Sequence, residues 1–141
     1  MSVDNIAIGR RFFEELLGQG KWDAAVETLS GDVVMHHPSS PEAISGREAV
    51  KQFLGGFRAG FPDLQMTVED AFTSGDKVAI RWRARGTHTG ELFGVSPTGK
   101  QMNVAGISIL RIADGKIVED WVAEDTLGML RQLGVLPSTE S

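Results

Sequence analysis

The chain of 141 residues contains no cysteine. Disulfides, thiolate nucleophiles and cysteine-based zinc sites are therefore excluded, and the composition is compatible with a reducing compartment. A basic surplus is also missing. Fourteen Lys and Arg face nineteen Asp and Glu, for a net charge of −5, whereas a nucleic-acid module carries a basic stripe. The one basic cluster is short: Arg81, Arg83 and Arg85. No apolar run approaches the roughly 20 residues needed to span a bilayer. The start, MSVDNIAIGR, has neither the basic end nor the apolar core of a signal peptide. The expectation is a cytoplasmic protein with no nucleic-acid and no membrane partner. Internal repeats, low-complexity tracts and linkers are absent, and GTHTG and PTGK lack a P-loop or dinucleotide pattern. What is present is ordinary: 41 % hydrophobic residues, enough for one domain, residues 1–141, with a real core.

The first half reads helical. Ile6, Phe13, Leu16 and Leu17 recur at helical spacing until Gly18–Gly20, and Trp22, Ala25, Val26 and Leu29 follow the pattern of a second short helix. Gly31 and Asp32 then turn the chain, VVMHHP is a short strand, and SSPEAIS is a loop. Ser45 and Glu48 have the spacing of a capping box ahead of a third helix, with Val50, Phe53, Leu54, Phe57 and Phe61 on one stripe. The second half alternates like strands: Leu64, Met66 and Val68; then Val78, Ile80, Trp82 and Ala84; then Met102 to Ile112; then Ile117 to Ala123. Asp125 is placed to cap a short closing helix through Leu127, Leu130 and Leu133, with Gly134 at its end and a frayed PSTES tail. Helices followed by a meander of long antiparallel strands make an α+β domain.

The last hairpin decides which side chains can meet. A two-residue turn at Asp114–Gly115 would set Ser108 opposite Trp121, and a three-residue turn would set it opposite Asp120. The second is preferred, because it groups Ser108 and Asp120 with Gly106 and Val122. The other face then holds Ile107, Ile109, Ile117 and Trp121, an apolar patch that a second copy of the chain would cover. A homodimer through the outer face of the sheet is the expectation.

The runs FPDL, SGDKVAIRWRARGTHTG, PTGK, ILRIADGKI and DTLGMLRQLG resemble the SnoaL-like polyketide cyclases and their ester-cyclase-like relatives. The likeness covers nearly the whole chain and is best from Phe61 onward. It implies the cone-shaped NTF2-like fold, in which three N-terminal helices and a strongly curved antiparallel sheet enclose a deep pocket, with a short C-terminal helix and pairing through the sheet. It also implies ring closure by an intramolecular aldol step with no metal or cofactor, carried by an Asp on the last strand and a His on the strand before. Aligned on the shared GKI and RQLG frame, that Asp falls on Val122 and that His on Ser108.

Asp120 shares a strand face with Val122. A carboxyl in an apolar cavity has its charged form disfavoured and can exchange a proton near neutral pH; the competing role is a structural pair with an arginine. His36 and His37 point to opposite faces, and parity with Val34 favours His36 as the catalytic partner if Val34 is core. His37, Trp82, Ser108, Val122, Phe13 and Phe57 are candidates for the substrate wall. Trp82 and the two phenylalanines could equally be core, and Ser108 has no nucleophile elbow around it. His88 belongs to the hydrogen bonding of its Gly-rich connection, and no metal site is expected. The function that follows is cofactor-free acid/base chemistry on a small hydrophobic carbonyl, ester or epoxide compound. The alternative is a binding protein for such a molecule on the same scaffold.

Overall fold

The computed structural model describes residues 2–136, with side chains from Asn5 onward; the PSTES tail lies outside the described residues. Helix α1 (Ser2–Arg11) runs directly into a π-helical turn, Phe12–Leu17. The wider turn lets Phe12, Phe13, Leu16 and Leu17 all reach the interior. Gly20, at φ 67°, ends the run. The second helix, α2 (Ala24–Thr28), is shorter than its apolar spacing suggests: Leu29 is already extended and Val26 is exposed. The expected turn at Gly31 and Asp32 is instead part of strand β1 (Leu29–His36), whose pairing is irregular between Leu29 and Val34. Inside the expected loop, β2 (Ile44–Ser45) pairs with β1. That pairing commits the Ser45 backbone to the sheet. Helix α3 (Arg47–Gly60) therefore starts after Gly46, at φ 97°, with no side-chain cap, and the capping box does not form. Val50, Leu54 and Phe61 of the α3 stripe are buried. Complete burial of side chains such as Phe12, Leu16 and Val50 stabilises by roughly 1.5–3 kcal/mol each.

Strands β3 (Gln65–Ser74), β4 (Lys77–Thr87), β5 (Gln101–Ala113) and β6 (Lys116–Glu124) form the expected meander, in the order β2-β1-β6-β5-β4-β3. The sheet is not wholly antiparallel, because β1 joins β6 in parallel. No hairpin sets the direction of that pair, since β2, α3 and the whole meander intervene. A bulge in β3 between Val68 and Asp70 turns the carboxylate of Glu69 between Arg81 (3.0 Å) and Arg83 (3.3 Å), so part of the basic row is paired across the sheet. Helix α4 (Thr126–Gln132) closes the chain, and the Gly128 N–H donates to the Asp125 side chain at 2.9 Å.

The last hairpin corrects the preferred register. Ala113 pairs with Lys116 around a two-residue turn, with Asp114 at φ 52° and Gly115 at φ 75°. Val118 is then an extra residue: Ile112 faces Ile117, but Arg111 faces Glu119. This bulge places Ser108 opposite Val122 and Leu110 opposite Asp120. The shared face of Ser108, Asp120 and Val122 survives, with different partners. Ile117, expected on the outer face, is fully buried because the bulge lies between it and Trp121.

Candidate active site

Between the helices and the concave face of the sheet lies a narrow cavity of about 50 Å³. Its wall is built in registered rows. On the sheet side these are Met35 beside Asp120, then Ser108 beside Val122, then Trp82 and Glu124 with Gly106 between them, then Ala84 beside Val104. Phe12, Phe13, Leu17, Leu54 and Phe57 close it from the helices. Met35, Met66, Met102 and Met129 also line it. The volume falls well below the several hundred Å³ of a pocket shaped to a drug-sized ligand. Methionine is the side chain best able to repack around one.

Asp120 is the anomaly of this wall. It is 2 % exposed, and neither carboxyl oxygen has a hydrogen-bond partner. The expected alternative, an ion pair with an arginine, is not formed. Burial alone raises the carboxyl from its ordinary 3.8 to about 8. At neutral pH the group is then mainly a neutral acid, able to donate. On the next row the Trp82 indole N–H donates to Ser108 Oγ at 3.0 Å. The Ser108 hydroxyl proton remains available toward the cavity. Trp82 can lie there because Gly106 has no side chain: a Cβ on Gly106 would meet the indole at 2.2 Å. Phe13 stacks on Trp82, with ring centroids 6.0 Å apart.

His36 does not enter the cavity. Val33 and Met35 are the core residues of β1, so parity sends His37 inward and His36 outward. There His36 stacks on Trp121 (5.7 Å) and contacts Glu119 at 2.7 Å. The same contact, with Arg111 second, holds the Glu119 carboxyl below its usual range. His37 is buried, packs on Phe53 and Phe57, and pairs with Glu124 at 2.8 Å. Glu124 was missed in the sequence, although it follows Asp120 and Val122 at two-residue spacing; its signal was alternation carried one step past the expected end of the strand. Asp120, His37, Trp82, Ser108, Val122, Phe13 and Phe57 thus share one cavity, and His36 stands apart. His88 is fully buried, and its Nδ1 accepts the Thr98 N–H at 3.2 Å, away from this site. Among the described residues no group of three His, Asp or Glu is placed to hold a metal ion. Among the described residues no helix is long and apolar enough to cross a membrane.

A model of the SnoaL-like polyketide cyclases matches residues 7–133. The chain belongs to this family. It is 34 % identical over 93 residues to nogalonic acid methyl ester cyclase of Streptomyces nogalater, covering 64 % of this chain and 68 % of the relative. It is 29 % identical over 113 residues to aklanonic acid methyl ester cyclase DnrD of Streptomyces peucetius, covering 77 % of this chain and 73 % of that one. A solved structure assigned as a SnoaL-like polyketide cyclase from Jannaschia sp. CCS1 superposes with a TM-score of 0.87 at 27 % identity, covering 96 % of this chain and 95 % of that one. The NTF2-like fold expected of the family is the fold observed, and its relatives place this chain among proteins of cyclase type.

Proposed function

We propose that this family member is a cofactor-free acid/base enzyme that closes a ring in a small, largely apolar carbonyl compound, with Asp120 as the proton donor. The observation that carries the reading is a carboxyl buried among apolar side chains with both oxygens unpartnered. Leaving a buried polar group unsatisfied costs about 1–3 kcal/mol, and such a cost is concentrated where a ligand or a reaction uses the group. A protonated carboxyl in an apolar site can protonate an oxyanion as it forms. Ser108, with its oxygen already accepting from Trp82, supplies a second donor beside it. Cyclase-named relatives support closure over hydrolysis, and Val122, where the sequence resemblance puts the family aspartate, leaves Asp120, two residues before it on the same strand face, as the acid.

The test uses heptane-2,6-dione, a flexible dicarbonyl whose closure gives 3-hydroxy-3-methylcyclohexanone. The protein should accelerate closure over buffer. Asp120→Asn should reduce that rate by about 10²–10⁴-fold, the usual weight of a positioned acid, with the fold intact. An Asp120→Asn protein as active as the parent sinks the proposal.

In the same proposal a second copy covers the outer face. Phe72, Ala79, Ile109, Trp121 and His36 register in one row across five strands. Phe72 and Ile109 are 64 % and 41 % exposed, and Ile107 beside them 51 %. A contiguous apolar row of this kind is the mark of an interaction surface.

A further inference from the structure

The cavity holds a second ionisable cluster that no acid role uses. Its titratable lining groups, among the described residues, are Asp120, His37 and Glu124; the helices, β3, β4, β5 and α4 contribute apolar side chains and Ser108. The His37 and Glu124 side chains are 4 % and 7 % exposed. The contacts fix the imidazole tautomer. His37 Nδ1 accepts the Ser39 backbone N–H at 3.0 Å, so the ring proton sits on Nε2 and is donated to Glu124 Oε1 at 2.8 Å. The lone pair through which the histidine would take a proton is already occupied. The carboxylate has the free capacity: its second oxygen receives only a long contact of 3.4 Å from the Thr126 hydroxyl.

We infer that Glu124 is the catalytic base working opposite Asp120, and that His37 is its positioning residue. The inference rests on the acid/base reading above and adds the missing half of it. Asp120 and Glu124 are four residues apart on one strand face, so their Cα atoms stand about 13 Å apart. Ser108 and Val122 occupy the row between them, so the two groups address opposite ends of a bound molecule. Glu124 takes a proton from a carbon next to one carbonyl, leaving an enolate. The enolate carbon bonds to the carbon of the second carbonyl, whose π pair moves onto oxygen, and that oxygen takes the proton of Asp120. The product is an isomer of the substrate, and transfer of the proton from Glu124 back to Asp120 through solvent restores the enzyme.

The experiment follows heptane-2,6-dione in D₂O by NMR, reading deuterium exchange at the α-carbons and ring closure together. Glu124→Gln retains an acceptor for His37 and should lower both rates by about 100-fold or more. Glu124→Asp, which keeps the charge and retracts it, should fall between. Asp120→Asn should lower closure far more than exchange. His37→Gln, which keeps an N–H for the carboxylate, should rescue most of the kcat that His37→Leu loses at nearly constant KM. Exchange undiminished in a folded Glu124→Gln overturns the assignment of the base while leaving Asp120 to its own closure data. A parent protein that accelerates neither process overturns both readings.

Discussion

At the scale of single residues, the burial of Asp120 ties function to stability. Its carboxyl holds a proton in the folded protein up to about pH 8, whereas the unfolded chain releases it near 3.8. Between those values the folded state binds more protons than the unfolded one, so stability declines as pH rises. The contribution is complete below the unfolded value and gone above the folded one. A tenfold difference in proton affinity corresponds to about 1.4 kcal/mol, so the total is on the order of several kcal/mol. Urea unfolding from pH 4 to pH 9 should show this decline in the parent and a much flatter profile in Asp120→Asn. Equal slopes would mean that the carboxyl is ionised in the fold. The neighbouring histidines teach a different lesson. Their alternation was legible but its phase was not, because the phase hangs on whether Val33 or Val34 meets the core, and both are valine.

At the scale of elements, alternation along β6 put Asp120 and Val122 on one face, but joining them to Ser108 depended on the last hairpin, whose preferred register reached the right face through the wrong partners. What sequence could not supply were the departures from regularity. The π-helical turn leaves no trace in a pattern of FFEELL, and the Val118 bulge is one extra residue within an unbroken strand signal. The capping box failed for a related reason: Ser45 had the right spacing, but pairing with β1 claimed its backbone first. Gly106 shows what one element asks of another. A glycine in a strand interior weakens it, yet here it admits the indole that holds Ser108. Gly106→Ala should destabilise by about 1–3 kcal/mol through overpacking against Trp82. Denaturant titration gives the loss, and a near-neutral result would mean that the indole moves freely.

At the scale of the whole molecule, the two faces of the sheet carry the two proposed roles. The concave face encloses the cavity, and the convex face carries the apolar row centred on Ile109 and Trp121. Ile109→Lys should halve the mass seen by sedimentation equilibrium without removing ring closure, because Ile109 points away from the cavity. An unchanged mass in both proteins, equal to one chain, would rule out pairing through this row. The bulge at Val118 adds a further consequence. Substituted residue by residue, β6 should behave as two interleaved messages. Changes at Asp120, Val122 and Glu124 would be read in turnover, and changes at Trp121 and Ala123 in assembly. The comb slips by one tooth at Val118, so Ile117 falls in step with the even positions. Deleting Val118 alone would bring the numbering back into regular alternation with every side chain still on its present face. Such a deletion would separate the bend of the strand from the order of its residues.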